Sequence, residues 1–257
     1  MRTQWAWAAG AAAIILAAPV AAEDFQWHGR IAAGKTVEIR GVNGSVDASA
    51  ATGDEVEVTA TKRAHRSDPE SVRIEAVEHD GGVTICAVYP DSDGRPNECR
   101  TGGGHNNTRD NDVEVHFTVR IPRGVVFAPA TVNGDVAVRG LEGDVHATTV
   151  NGSIDVATAG RVEAQTVNGS IRARAGRADW TSDVSFRTVN GSITLTLPAS
   201  AAADVHAQTV NGEIETDFPL TVSGRLAPRR LSGSIGGGGH ALEMQTVNGS
   251  IHLRKAS

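Results

Sequence analysis

Thr149-Val150-Asn151-Gly152-Ser153-Ile154 is the stretch whose reading decides the fold, because the chain writes this hexamer six times. The other copies occupy residues 131–136, 166–171, 188–193, 209–214 and 246–251, each with Ser, Asp or Glu after the glycine and Ile or Val after that. Val42-Asn43-Gly44-Ser45-Val46 and Leu231-Ser232-Gly233-Ser234-Ile235 are looser copies. A hexamer repeated nearly verbatim at short intervals means that one small β unit is built many times and stacked on itself.

The spacing gives the size of that unit. Asn133, Asn151, Asn168, Asn190, Asn211, Ser232 and Asn248 follow one another at steps of 18, 17, 22, 21, 21 and 16 residues. Half-way marks also recur, at residues 141–145, 158–162 and 222–226, each with its own glycine. The unit is therefore two short strands and two glycine-bearing turns, about 17 residues at its tightest.

Side-chain parity narrows the choice of architecture. Val145, Ala147 and Thr149 alternate before Asn151, and Ile154 and Val156 alternate after Gly152, but the two runs are out of phase. A type I′ hairpin would reset the phase and pair Thr149 with Ile154, giving an antiparallel meander. A solenoid corner would reset it too, with identical corners stacked rung on rung and their asparagines bonded in a ladder. The hairpin would leave Val150 and its equivalents on the far face. The expected fold is thus all-β, an elongated β-solenoid or β-helix-like stack, with the hairpin meander as the alternative. Its corners are Asn43-Gly44, Asn133-Gly134, Asn151-Gly152, Asn168-Gly169, Asn190-Gly191, Asn211-Gly212 and Asn248-Gly249. On this reading Asn and Gly turn the chain through positive φ, while Val and Ile fill the core.

Upstream of the repeats, residues 25–89 alternate apolar and polar as short strands (Val37, Ile39; Val56, Val58; Val83, Ile85). Residues 91–112 lack periodicity, carry three consecutive glycines and read as a long loop, a mobile excursion in preference to a binding loop. Cys86 and Cys99 are the only cysteines, and in an exported chain such a pair suggests a disulfide. A metal site using Cys99 and His105 is the weaker reading, since no ligand spacing repeats.

The first residues read as a secretory signal peptide over 1–22: Arg2, an apolar run around Ile14-Ile15-Leu16, then small residues at Val20-Ala21-Ala22. The remaining 23–257 reads as one β-strand-repeat domain. No later apolar run approaches the roughly 20 residues of a membrane span. The net charge of −6 is scattered, without a basic patch to track phosphates, so nucleic acid is a poor partner. Aromatics make up 4 %, so the core must come from Val, Ile, Leu, Ala and Thr.

Sites of chemistry are sparse. Neither a G-x-S-x-G nucleophile elbow nor an H-E-x-x-H metal motif is present. Asp135 and Asp144 occupy equivalent turn positions nine residues apart and would serve as a cation pair or as glycosidase carboxylates only if they approached each other. The recurring Thr would be buried beside the turn rather than displayed as an ice-binding face. His146 and His206 fall on outward positions. Trp180, between repeats, reads as a cap over a rung edge. No cofactor is expected.

The T-V-N-G-S-I repeats, the signal peptide and the opening and closing segments 37–46 and 246–253 together resemble a bacterial family of exported candidate adhesins, the β-strand-repeat domain of unknown function. The resemblance implies an elongated stack of short strands at the cell envelope, and it brings no catalytic residues. The expected function is a non-enzymatic exported scaffold, periplasmic or at the cell surface, binding a surface glycan or an envelope protein. The alternatives are a periplasmic structural or envelope-stress partner docking through β-edges and, less favoured, a β-helix glycan hydrolase or lyase.

Overall fold

The computed structural model describes residues 25–91, 97–102, 108–178, 180–222 and 229–256. Residues 1–22, which the sequence reads as a signal peptide, and His105 lie outside these. Among the described residues the chain forms short β-strands and a single 3₁₀ turn at Pro69–Ser71. Two sheets result, one of ten strands and one of eleven.

Each repeat contributes one strand to each sheet, and the Asn-Gly pair joins the two. Val145–Thr148 lies in one sheet between Val126–Ala130 and Val162–Gln165, in parallel register. Ile154–Thr158 lies in the other, with Ile154 opposite both Val136 and Ile171. Residues flanking Asn151-Gly152 therefore belong to different sheets, which excludes the hairpin meander. The parity break found in the sequence is the change of sheet: both strands direct their apolar residues into the space between the sheets. Val145, Ala147, Ile154 and Val156 are all buried there, and Phe117, Phe127 and Phe186 fill the wider places.

Stacking order departs from chain order twice. The rung of Thr36–Arg40 and Val46–Ala50 sits between the Asn133 rung and the strand pair Gly82–Val88 and Glu114–Ile121. The rung of Ala241–Gln245 and Ile251–Lys255 slides between the Asn190 and Asn211 rungs. Identical corners make this possible, since any rung can stack on any other.

The ends switch to antiparallel pairing. Phe25–Gly29 pairs with Val56–Arg63, which pairs with Glu114–Ile121; Arg73–His79 pairs with Gly82–Val88. At the far end Arg230–Ile235 runs antiparallel to Ala203–Gln208. The loose copy at residues 231–235 thus lies within a capping strand, up to its last residue, and forms no corner. Its Ser232 lacks the carboxamide, and its partners are ordinary strand neighbours.

Cys86 and Cys99 are joined, with their Cα atoms 5.5 Å apart. Cys86 points to the outside of its sheet, so the bridge draws residues 97–102 over that face. This is why Gly82–Val88 is buried at every position instead of at alternate ones. Asn97 Nδ2 donates to the Tyr89 carbonyl at 2.8 Å and fastens the same segment. Tyr89 donates its hydroxyl to the Val113 carbonyl at 2.7 Å, and its burial pushes the phenol up to about 12.

Candidate binding ridge

Four residues of each corner have four different tasks. The Thr points inward, is buried, and donates its hydroxyl to the carbonyl of the glycine one rung away. Thr149 reaches Gly134 at 2.9 Å, Thr166 reaches Gly152 at 2.9 Å, and Thr246 reaches Gly191 at 2.8 Å. The buried hydroxyl is satisfied, as burial requires.

The Asn carboxamides form one unbroken ladder. Asn133 Nδ2 donates to Asn43 Oδ1, Asn151 to Asn133, Asn168 to Asn151, Asn190 to Asn168, Asn248 to Asn190 and Asn211 to Asn248, at 2.7–2.8 Å. Every amide points the same way along the stack. A carboxamide has two N–H donors, and the ladder uses one.

The glycines work differently from the expectation. Gly134, Gly152, Gly169, Gly191 and Gly212 do not lie in the left-handed region, and none of the corner asparagines has positive φ. They are glycine because the rungs touch. A Cβ on Gly152 would fall 2.0 Å from the Gly134 carbonyl oxygen, and one on Gly169 would fall 1.9 Å from that of Gly152. At these five corners close approach, not φ, is what excludes a side chain, whereas Gly44 (φ 116°) and Gly249 (φ 159°) do take positive φ as expected.

The corner valines also depart from the expectation: they do not fill the core. Val132, Val150, Val167, Val189, Val210 and Val247 are 37–47 % exposed and are the only large apolar side chains so exposed among the described residues. They stack directly, Val150 N–H on the Val132 carbonyl at 3.3 Å and Val167 on Val150 at 3.2 Å. At the usual strand spacing six of them make a ridge roughly 24 Å long. The Asn ladder flanks it on one side. On the other runs an exposed row, Thr148, Gln165, Arg187, Gln245, Gln208 and Arg230, in strand register. Between ridge and row, a shallow recess of about 320 Å³ is lined by Val189, Val210, Val247, Arg187, Gln208 and Gln245. At the opposite end the equivalent Val42 is half-buried, and Glu98 of the disulfide loop stands beside it.

The remaining candidates do not assemble into a catalytic centre. Asp135 and Asp144 sit at opposite ends of the strand Val136–Leu141, roughly 20 Å apart at strand rise. Each accepts instead from a backbone N–H one rung on, Asp135 from Ser153 and Asp144 from Arg161. Cys99 is in the disulfide, and among the described residues no three His, Cys, Asp or Glu converge as metal ligands. Trp180 is mostly buried and donates Nε1 to the Arg177 carbonyl at 3.2 Å, so it takes no part in the exposed stripe. His146 meets Glu163 at 3.0 Å and holds that carboxyl below its ordinary range; His252, then Arg254, do the same to Glu215. These surface pairs add little stability.

Fold and ridge together define a class, the two-sheet parallel β-solenoid with identical asparagine corners. Within it, residues 130–254 match the Toastrack DUF4097 family. No curated protein matches the chain significantly. Among solved structures, a candidate cell adhesion protein from Clostridium sporogenes is similar at 12 % identity, over 90 % of this chain and 99 % of that one, with a TM-score of 0.46. A candidate adhesin from Bacteroides fragilis is similar at 10 %, over 90 % and 96 %, with a TM-score of 0.30. A candidate lipid binding protein from Parabacteroides distasonis is similar at 9 %, over 91 % and 96 %, with a TM-score of 0.26.

Proposed function

We propose that the chain is an exported, non-catalytic binding scaffold of the cell envelope or surface, an adhesin in the broad sense, and that the corner ridge is its contact surface. The observation that carries this reading is the ridge itself. Elsewhere outward strand positions are mixed and charged, whereas one line of six identical apolar residues runs along the stack between two rows of polar side chains. An exposed, contiguous apolar stripe rimmed by polar groups marks an interaction surface. Its length and straightness suit an extended polymer, with a surface glycan favoured. Carboxamides bond hydroxyls, and valine methyls pack against the C–H faces of sugar rings.

The test is to incubate the purified mature chain with cells, peptidoglycan and envelope extract, beside a variant carrying Val150→Glu, Val167→Glu and Val189→Glu. These side chains are outward, so the fold should survive, as circular dichroism would check. Binding should fall by roughly tenfold or more if the ridge holds the contact. Absence of binding by the parent chain defeats the scaffold reading, and equal binding by the variant moves the contact off the ridge.

A second reading has its own support. Ile214–Thr216 pairs with Ile251–Lys255 on one side and with no other described strand. Such an edge accepts an added strand from an envelope protein. Residues 213, 215 and 217 bond inward to Ile251–Lys255, so the Thr216 N–H faces the open edge, and Thr216→Pro would abolish that capture and leave ridge binding unchanged.

A further inference from the structure

Seven Asn-Gly pairs in one chain pose a chemical problem that the ladder solves for six of them. Asn-Gly is the dipeptide most prone to deamidation. The glycine amide nitrogen loses its proton to water and attacks the asparagine Cγ; the Cγ–Nδ2 bond breaks and ammonia leaves, closing a succinimide. Water then opens the ring at either carbonyl and leaves aspartate or isoaspartate. Ring closure needs a glycine N–H free to ionise and a carboxamide free to swing.

Six corners deny both. Gly44 N–H donates to the Asn133 carbonyl, Gly134 to Asn151, Gly152 to Asn168, Gly169 to Asn190, Gly191 to Asn248 and Gly249 to Asn211, all at 2.9–3.0 Å. In each, the asparagine Oδ1 also accepts Nδ2 of the adjoining rung. Asn211 stands at the end of the stack, where no further described rung follows. Among the described residues the Gly212 N–H has no acceptor and the Asn211 Oδ1 accepts no donor; one ladder bond, to Asn248 at 2.8 Å, is all that holds the carboxamide. The side chain is exposed, and the adjoining Val210 is the most exposed valine of the ridge at 47 %.

We infer that Asn211 is the intrinsic deamidation site of this protein and that the other six Asn-Gly pairs are protected by stacking. Two hydrogen bonds separate the end corner from the rest, so Asn211 converts roughly tenfold faster or more. The product removes the donor to Asn248 and puts a negative charge on the last rung. In the isoaspartyl form it also adds a methylene to the backbone, three residues before the edge strand Ile214–Thr216.

The experiment is a time course of the full chain at mildly alkaline pH, native and in concentrated urea, digested and mapped by mass spectrometry with isoaspartyl methyl labelling. In the native chain the peptide containing Asn211 should acquire the acid mass first, while the other six lag by that factor. In urea the seven rates should converge. Native conversion spread evenly, or led by another corner, overturns the inference. So does persistence of the Asn211 lead in urea, which would assign the effect to the local sequence with Glu213 instead of to the stack.

Discussion

Gly152 lies against Gly134 of the neighbouring rung so closely that a Cβ on the former would fall 2.0 Å from the carbonyl oxygen of the latter. That oxygen also accepts the Thr149 hydroxyl at 2.9 Å, so it cannot retreat without releasing a buried donor. Gly152→Ala is therefore expected to destabilise by roughly 3 kcal/mol, at the upper end for a single methyl. Gly53, with open space around it, provides the control: Gly53→Ala should change stability little. Urea titration of both variants checks the pair.

The carboxamide ladder predicts a position effect. Asn168→Ala removes one bond to Asn151 and one from Asn190, whereas Asn211→Ala removes only the bond to Asn248. At about 1 kcal/mol per bond, the first should cost about 2 kcal/mol and the second about half that. Denaturation midpoints of the two variants decide it, and equal losses would mean that the ladder is ornamental to stability.

Much of this was legible in the hexamer. The period predicted the rungs, and the opposite parity of Thr149 and Ile154 predicted a change of face, which the structure realises as a change of sheet. What the sequence left hidden depends on neighbours in space. Gly152 could be read as a φ device because nothing in one copy says how near the next copy lies. Val150 could be read as core because valine usually is, and its exposure follows from the corner geometry that places Thr149 inward. The ridge had one available signal: in a corner of alternating parity, Thr and Val cannot both face in. The insertion of the Asn248 rung before Asn211 left no trace, since all corners read alike.

The disulfide acts on a surface, not on the repeats. Its 13-residue separation gives roughly 3 kcal/mol in the chain-entropy account. Cys86→Ser with Cys99→Ser should lower stability by that order and expose Thr84 and Val88, which lie on the same outward face. Hydrogen exchange should rise in Gly82–Val88 and stay unchanged in Ile171–Ala175, far along the stack. Loss of protection throughout would make the bridge a requirement for the whole fold.

Asp112 gives a pH dependence with a definite sign. Its carboxylate accepts the Ser67 N–H at 2.8 Å and the Arg66 N–H at 3.0 Å, and these bonds, Ser67 foremost, hold it at about 2. Unfolded, the same group titrates near 4, about the ordinary aspartate value. A carboxyl depressed by folding supports the folded state above its unfolded value, and the support fades as pH falls through the folded one. Stability should therefore decline between about pH 4 and about pH 2, with Glu163, Glu215 and Asp217, each also lowered, adding to the slope. Asp112→Asn should flatten part of that decline and be less stable than the parent above pH 4. Thermal melts of both chains across this range measure it, and parallel profiles would show that the Asp112 contacts at residues 66–67 are not formed in solution.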